Sequence, residues 1–232
     1  MFDSIFERVY VISLARRPER LEAFYQRLPE SFPFRRPKRY VALDGGLVTP
    51  PEWWGGAGAW GCYRTQVRIM EDCLNDEVYS VLIFEDDAVC VDGFAEKVQQ
   101  FMNHLPSDWE MVYFGGQHLR EGDGLPVKVN EWVYAPFNVN RCHCYGYRGR
   151  GMLEKAYKHL HDFHDWKGLH HIDHRLGELH EKTKSGIYVP KEWLVAQAEN
   201  HSDINGKDQS YRLFPSSEET INPVIDRLCC DE

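Results

Sequence analysis

Short, largely apolar runs rich in β-branched and aromatic residues alternate along the chain with segments whose apolar residues recur every three or four positions. The first pattern is typical of strands buried on both faces, and the second of amphipathic helices. The predicted strands are residues 9–14, 39–43, 79–84, 110–114 and 143–147. The predicted helices are residues 18–28, 62–74, 93–105, 151–163 and 173–184. This alternation predicts right-handed βαβ units, and hence an α/β fold with a mostly parallel central sheet flanked by helices.

The organisation of the chain indicates one large domain. Its 232 residues contain no internal repeat, low-complexity run or evident linker, and a length of this order suits one domain with a short appendage. We therefore expect a single domain over residues 1–204. Residues 205–232 are polar, and we expect them to form a tail that wraps the domain or is partly disordered.

Composition excludes several classes of protein. A hydrophobic share of 43% with 13% aromatic residues is too high for a disordered chain, and a net charge of −9 argues against a general nucleic-acid binder. The purely apolar run of residues 81–84 is as long as any in the chain, yet it is far shorter than the roughly 20 residues of a membrane span. The first residues lack the basic and apolar regions of a signal peptide. These features predict a cytoplasmic protein without an integral membrane segment, whose membrane contacts, if any, are peripheral.

The seven cysteines are odd in number and irregularly spaced, as is typical of reduced thiols. Cys142 and Cys144 suggest a structural zinc site, but they do not form a CxxC pair and they sit in a predicted strand. Buried or surface thiols are the favoured interpretation.

Three consecutive carboxylates, Glu85, Asp86 and Asp87, directly follow the predicted strand 79–84. The end of a buried strand lies at the carboxyl edge of the sheet, where open α/β sheets bind ligands. In extended backbone Glu85 and Asp87 face one way and Asp86 the other. Because adjacent like charges repel, a divalent cation shared with a diphosphate would stabilise them. The alternative is a solvated turn that caps the next helix.

Arg16, Arg17 and Arg20 follow the first strand, beside the predicted start of a helix. Guanidinium groups and free backbone N–H groups at such a position suit an anionic or nucleotide ligand, although arginines are also common on surfaces. No glycine-rich phosphate loop follows Leu14, which argues against kinases, P-loop NTPases and ordinary dinucleotide enzymes.

Together these segments resemble glycosyltransferase family 25, which includes bacterial lipooligosaccharide galactosyltransferases and collagen galactosyltransferases. The resemblance rests on short motifs that occur in the family's order and extend over nearly the whole chain. They are residues 11–20 (VISLARRPER), 42–45 (ALDG), 58–62 (GAWGC), 82–87 (LIFEDD), 109–113 (WEMVY), Asp173 with His174, and Gln197 with residues 202–204 (SDI).

The resemblance implies a GT-A fold and an inverting, metal-dependent transfer of a hexose, galactose or glucose, from a UDP-sugar to a hydroxyl acceptor. It implies Mn²⁺ or Mg²⁺ on an acidic motif of the DxD type, with Glu85, Asp87 and His201 as the metal ligands. The residues expected on the nucleotide and sugar of the donor are Leu14, Arg16, Arg17, Arg20, Asp44, Glu85 and Asp86. A glycan of the kind made in lipopolysaccharide biosynthesis, another lipid-linked glycan or a protein hydroxyl would be the acceptor, and a modified nucleic acid is also open.

Inversion requires a carboxylate that takes a proton from the acceptor hydroxyl. Asp173, at the start of a predicted helix among several histidines, is the candidate, and Asp87 acts with it through the metal. A helix N-cap is the alternative role for Asp173.

Two features favour other interpretations. Thr65 and Gln66 occupy the place where the family usually has Ser-His, and Gln cannot carry the positive charge of His. This departure favours a catalytically degenerate protein that binds a nucleotide sugar or a glycan. A histidine-rich stretch between His161 and His180 suggests a metallohydrolase, but no HExxH motif is present, so a solvated polar face is favoured.

Overall fold

The computed structural model describes residues 2, 4–48, 53, 55–119, 124–161, 171–183, 185–204 and 206–221. Its helices are α1 (Pro18–Gln26), α2 (Gly56–Asn75), α3 (Phe94–Asn103), α4 (Arg150–His161) and α5 (Ile172–Lys182). Its longer strands are β1 (Arg8–Leu14), β2 (Lys38–Ala42), β3 (Ser80–Glu85), β5 (Met111–His118), β8 (Val139–Arg148) and β9 (Ile187–Pro190). Shorter strands are β4 (Ala88–Cys90), β6 (Val127–Lys128), β7 (Val133–Ala135), β10 (Val195–Gln197), β11 (Asn200–His201) and β12 (Asp208–Gln209).

Eight strands form the central sheet in the order β2-β1-β3-β8-β5-β9-β7-β6. β1, β2 and β3 are parallel, and β5 runs in the same direction because both β3 and β5 pair antiparallel with β8. β9 is parallel to β5, and β6 regains that direction through the antiparallel strand β7. The predicted mostly parallel sheet is therefore confirmed, with β7 and β8 running against the rest.

Helices cover both faces of this sheet because its central strands alternate between two apolar cores. On β3, Val81 and Ile83 pack beneath α2, α4 and α5, whereas Leu82 and Phe84 pack beneath α1 and α3. All four side chains are fully buried, which is why this strand has an uninterrupted apolar sequence. The predicted α/β architecture is confirmed, and its helix–sheet–helix layers are consistent with the GT-A fold.

The largest difference from the predicted bounds is at α2, which begins at Gly56 rather than at residue 62. The glycines in its first two turns allow close approach to the preceding loop. A Cβ atom on Gly45, in the 3₁₀ turn Gly45–Leu47, would lie 1.7 Å from the carbonyl oxygen of Ala57. Backbone therefore packs against backbone here, a contact that apolar periodicity does not reveal.

Residues 206–221 of the predicted tail lie against the domain. Arg212 and Gln197 exchange two backbone hydrogen bonds of 2.9 Å, and the indole of Trp193 donates to the carbonyl oxygen of Pro215 at 2.9 Å. Phe214 is buried within the core beneath α2, α4 and α5. Residue 205 and residues 222–232 lie outside the described part of the chain.

Candidate active site

A pocket of about 640 Å³ opens at the edge of the sheet where β1, β2 and β3 end. The first turns of α2 and α5 and residues 202–204 complete its walls. Carboxylates outnumber guanidinium groups on these walls by six to three, so a bound cation would lower the electrostatic repulsion within the pocket. The charged groups are Asp44, Glu85, Asp86, Asp87, Asp173 and Asp203, with Arg16, Arg20 and Arg141.

The reversed direction of β8 brings a second group of residues to this edge. Phe84 near the end of β3 is paired with Cys144 in the middle of β8, and the residues of β8 that precede Cys144 continue past that end of β3. Residues 140–143 therefore lie beside the acidic motif and line the pocket. In a parallel strand the same residues would lie at the opposite edge of the sheet.

The three carboxylates of the acidic motif have different surroundings. Asp86 is buried and hydrogen-bonded to the guanidinium of Arg20, and its backbone oxygen accepts from Arg27 at 3.0 Å. Burial raises the pKa of Asp86, and the charge of Arg20 opposes the rise. Asp87 Oδ2 accepts from the side-chain amides of Gln197 at 3.1 Å and Asn200 at 2.9 Å. These bonds hold the Asp87 carboxylate in one orientation.

Glu85, the last residue of β3, and Asp87, in the turn that follows, face the same side, and His143 joins them. One ligand atom from each of the three residues lies within 4.8 Å of the others. His143 Nδ1 is 3.8 Å from Glu85 Oε2, and its ring stacks on Phe214 with 5.7 Å between centroids and 15° between planes. Burial raises the pKa of Glu85, His143 opposes the rise, and the charge of Asp87 adds to it.

This cluster has the chemistry of a divalent-cation site. His143 is only 1% exposed, yet neither ring nitrogen has a hydrogen-bond partner among the described residues, and the same holds for Asp87 Oδ1. A buried polar atom without a partner costs about 1–3 kcal/mol, a cost that an ion between these groups would relieve. Carboxylate oxygens suit both Mn²⁺ and Mg²⁺, and the imidazole nitrogen shifts the preference towards Mn²⁺, the transition-metal ion of the two. The residues present therefore fit the implied metal.

His201 lies apart from this cluster, although the family resemblance implies it as a metal ligand. Its side chain is 51% exposed on β11, and its Nδ1 is 2.8 Å from the Asp208 carboxylate of the neighbouring strand β12. Among the described residues, the group that places a third ligand near Glu85 and Asp87 contains His143 rather than His201. The geometry therefore favours His143 as the third ligand.

The arginines after β1 are engaged by carboxylates. Arg16 contacts both Asp44 Oδ2 at 2.7 Å and Asp203 Oδ1 at 2.9 Å, and Arg17 binds Asp203 at 2.8 Å. Arg20 reaches Asp203 at 3.5 Å in addition to Asp86. Burial acts to raise the pKa of Asp203, but the hydrogen bonds from Arg17 and Arg16 hold it below its ordinary value.

These contacts fasten a short segment, residues 202–204, across one side of the pocket. We call it the strap. A Cβ atom on Gly58 in α2 would lie 2.8 Å from the backbone oxygen of Asp203, so the strap lies directly on that helix. Arg16, Arg20, Asp44 and the end of β1 at Leu14 line the pocket beside it, whereas Arg17 binds the strap from outside the pocket wall.

Asp173 lies on the pocket wall in the first turn of α5. The helix N-cap is His171, two residues earlier, so Asp173 is not the cap itself. Its Oδ2 accepts from the backbone N–H of Arg141 at 3.2 Å and its Oδ1 from that of His174 at 3.0 Å. The carboxylate is thus held between β8 and α5, facing the same pocket as the acidic motif.

Thr65 and Gln66 do not line the pocket but connect elements behind it. The Thr65 hydroxyl donates to the carbonyl oxygen of Gly61 at 2.7 Å and accepts from the N–H of Leu43 at 2.9 Å. Gln66 is fully buried and accepts a hydrogen bond from the Tyr145 hydroxyl on β8. Their departure from the family pattern therefore changes internal packing rather than the pocket surface.

Among the described members of the histidine-rich stretch, the rings of His171 and His174 are neighbours, with centroids 6.1 Å apart, and the others have different surroundings. His180 is buried against Tyr113, whereas His171 and His174 lie at the pocket. His164, His170, Asp162 and Asp165 lie outside the described residues.

Cys142 and Cys144 also separate, since Cys142 packs in the core beneath α2 and Cys144 in the core on the other face of the sheet. Burial raises the pKa of each of the two thiols well above the ordinary value for cysteine. Both are therefore protonated at neutral pH and neither is an activated nucleophile.

Sequence reasoning missed Asn140, Arg141 and His143 as pocket residues. The available signal was a histidine flanked by two cysteines within a predicted buried strand. That pattern does not give the direction of the strand, and the direction decides which edge of the sheet its first residues reach.

Within the described ranges, no helix combines the length and apolar character needed to cross a bilayer.

No protein-family model matches the chain. Over 53% of its length, the chain is 26% identical to the Homo sapiens protein named inactive glycosyltransferase 25 family member 3. It is also 26% identical, over 53% of its length, to a Bos taurus protein named probable inactive glycosyltransferase 25 family member 3. The resemblance to this family is thereby confirmed. The chain spans 25% of the length of each of these curated relatives.

Two solved structures are distantly similar. The crystal structure of A197 from STIV has a TM-score of 0.42 and 12% identity, covering 89% of this chain and 97% of that one. A glycosyltransferase involved in the glycosylation of the major capsid of PBCV-1 has a TM-score of 0.41 and 12% identity, with coverage of 78% and 80%. The α/β assignment rests on the sheet order and helix layers of the chain itself.

Proposed function

We propose that the chain is a metal-dependent, inverting glycosyltransferase that moves a hexose, galactose or glucose, from a UDP-sugar to a hydroxyl acceptor. The observation that carries this proposal is the cluster of Glu85, Asp87 and the unpartnered, buried His143 within a carboxylate-rich pocket. Similarity to proteins named as glycosyltransferase 25 family members supports a relation to that family, although the names describe these relatives as inactive. The cytoplasmic location remains a prediction of the sequence.

A bound Mn²⁺ or Mg²⁺ would neutralise the charge that develops on the leaving diphosphate. Glu85, Asp87 and His143 would hold the ion, and Gln197 and Asn200 keep the Asp87 carboxylate oriented towards it. On the other side of the acidic motif, Leu14, Arg16, Arg20 and Asp44 would contact the nucleotide, because they line the pocket at the ends of β1 and β2. Arg17 supports them by fixing the strap.

Asp173 would act as the general base. The acceptor oxygen attacks the anomeric carbon as the bond from that carbon to the UDP oxygen breaks. The hydroxyl proton passes to Asp173, and UDP leaves with the bonding electron pair. The backbone N–H groups of Arg141 and His174 fix the carboxylate on the pocket wall, as a base that must meet a bound hydroxyl requires.

Thermal unfolding of the protein with UDP, UDP-galactose, UDP-glucose or GDP tests the donor, each with Mn²⁺ or with EDTA. A ligand at one hundred times its Kd stabilises the native state by about 2.7 kcal/mol. We expect stabilisation by a uridine nucleotide that disappears in EDTA. Absence of any nucleotide effect in the presence of Mn²⁺ would refute the proposal.

Matched variants test the ligand set. Asp87→Asn and His143→Gln should each weaken Mn²⁺-dependent UDP binding by about tenfold or more, measured by calorimetry. His201→Gln and Asp208→Asn alter an exposed pair that lies apart from the cluster, so binding should not change. A loss confined to His201→Gln would instead establish His201 as the third ligand and remove His143 from the site.

A catalytically degenerate protein that binds a nucleotide sugar is the second candidate, favoured by the names of the curated relatives, which describe them as inactive. Measuring UDP release from a UDP-sugar separates the two functions. Slow, Mn²⁺-dependent release with water as acceptor, abolished by Asp87→Asn, supports the enzyme. Tight Mn²⁺-dependent binding without any release over many hours supports the binding protein.

A further inference from the structure

We infer that the pocket contains an oxyanion subsite at Arg141 and Asn140, and that the acceptor carries a phosphate or carboxylate group near the hydroxyl that receives the sugar. This inference rests on the proposed function, because it names the class of acceptor for the same pocket. Among the described residues, Arg16 and Arg20 are paired with carboxylates, whereas no carboxylate pairs with the guanidinium of Arg141.

The surroundings of Arg141 are those of a built site. Its backbone has φ of +69°, in the left-handed region that non-glycine residues rarely adopt. Its guanidinium carbon lies 5.7 Å from the centre of the Phe214 ring, and its Nε is buried without a partner among the described residues. Aromatic support of this kind orients a guanidinium and leaves its N–H groups free to bind an anion.

Asn140 supplies the independent second observation. Its side chain is 5% exposed and lines the pocket, and its Nδ2 group has no acceptor among the described residues. A buried amide N–H₂ that lacks an acceptor is stabilised by an incoming oxyanion. The N-terminus of α5, at His171, adjoins the same wall and adds a favourable dipole.

The position of this subsite points to the acceptor rather than to the donor. The sheet order is β2-β1-β3-β8, so the acidic motif on β3 lies between the β1 and β2 ends on one side and Arg141 on the other. Asp173, the proposed base, is joined to the backbone of Arg141 at 3.2 Å. An acceptor whose hydroxyl reaches Asp173 therefore places its neighbouring substituents at Arg141.

A titration of the UDP- and Mg²⁺-saturated protein with glucose 6-phosphate, glucuronate and glucose tests the inference, followed by NMR chemical shifts of the backbone amides. We expect both anionic sugars to shift the resonances of residues 140–143 and 171–174 at concentrations at which glucose has no effect. Arg141→Gln should lower the affinity for the anionic sugars by about tenfold or more and leave UDP binding intact. A phosphate-only or carboxylate-only response identifies which of the two oxyanions the acceptor carries.

Arg212→Gln is the matched control, because Arg212 also lies over the Phe214 ring, at 5.6 Å, but is exposed outside the pocket wall. It should retain the wild-type affinities. Asn140→Asp places a negative charge at the subsite with little change in shape, so it should also weaken the binding of the anionic sugars. This variant tests the inference if Arg141→Gln does not fold.

Equal chemical-shift responses to glucose and glucose 6-phosphate would overturn the inference, and so would equal losses of affinity for the anionic sugars in Arg141→Gln and Arg212→Gln. A loss of affinity in Arg141→Gln that is confined to UDP would also overturn it, because it would assign Arg141 to the donor diphosphate. If the wild type does not bind UDP at all, the proposed function fails by itself. The same titration without nucleotide then still decides whether Arg141 forms an oxyanion subsite.

Discussion

Two buried histidines should make the fold strongly sensitive to mild acid. His118 on β5 is 8% exposed and His180 on α5 is 3% exposed. The Ser217 hydroxyl donates to the carbonyl oxygen of Pro190 at 3.1 Å, so it accepts from His118 Nε2 at 3.0 Å, and His118 Nδ1 has no partner among the described residues. A second proton on His118 would therefore create a buried cation without an acceptor.

His180 is held in its neutral form in the same way. Its Nδ1 accepts from the backbone N–H of Val139 at 3.2 Å, so its Nε2 donates to the Tyr113 hydroxyl at 3.0 Å. Protonation of Nδ1 would break the bond to Val139. Burial lowers the pKa of both His118 and His180 to about 3.

The direction of the effect follows from linkage. Both histidines have a lower pKa in the folded than in the unfolded chain, so the unfolded chain binds more protons, and stability falls as the pH drops below about 6.5. At pH 5 the unfolded pKa lies about 1.5 units above the solution pH, and each unit corresponds to about 1.4 kcal/mol. Each histidine therefore costs about 2 kcal/mol, and the pair about 4 kcal/mol, a large part of the stability of an ordinary domain.

Urea unfolding at pH 7 and pH 5 measures this loss. The variant His118→Gln keeps an amide N–H for Ser217 but cannot titrate, so its loss between the two pH values should be about 2 kcal/mol smaller than that of the wild type. His104→Gln, at an exposed position after α3, controls for the removal of a histidine as such. The reasoning is refuted if His118→Gln loses as much stability between pH 7 and pH 5 as the wild type.

Two further substitutions test the strap and the close contact at the start of α2. Asp203→Asn should cost about 1 kcal/mol, because its arginine partners are partly exposed. It should also speed amide hydrogen exchange in the strap, residues 202–204, whereas Asp208→Asn on the neighbouring hairpin should not. Gly45→Ala should destabilise the fold by about 1–3 kcal/mol in urea unfolding, since its Cβ would overlap backbone. Gly46→Ala, whose Cβ would meet only a side-chain oxygen at 3.3 Å, should cost much less, and equal losses would contradict the close contact.

Much of the central fold was predictable because the central strands are buried on both faces. The inner positions of β3, residues 81–84, are all apolar because both faces are buried, and they contrast sharply with the three carboxylates that follow them. The helices were equally visible, since each has one apolar face towards the sheet. The strands missed from the sequence are short, since two to four residues carry too little periodicity to be recognised; they are β4, β6, β7, β9, β10, β11 and β12.

The predictions for the start of α2 and for the C-terminal segment were incomplete for different reasons. Gly56 and Gly58 favour loops by intrinsic propensity, but the tight packing of this region against the loop after β2 and against the strap overrides that preference. The segment after residue 205 is polar on average, yet one buried aromatic residue, Phe214, fixes it to the core. Average polarity does not reveal a single anchoring side chain.

The candidate site was predictable only on the side formed by parallel strands. The carboxyl ends of β1, β2 and β3 follow their apolar runs directly, so Asp44 and the motif from Glu85 to Asp87 could be assigned to one edge from sequence order alone. β8 reverses that relation, because an antiparallel neighbour delivers its first residues to the edge where the parallel strands deliver their last. The third metal ligand and the proposed oxyanion subsite both depend on this reversal. Variants at His143 and Arg141 therefore test the strand direction as well as the chemistry, since a parallel β8 would place both side chains at the far edge of the sheet and leave nucleotide and sugar binding unaffected.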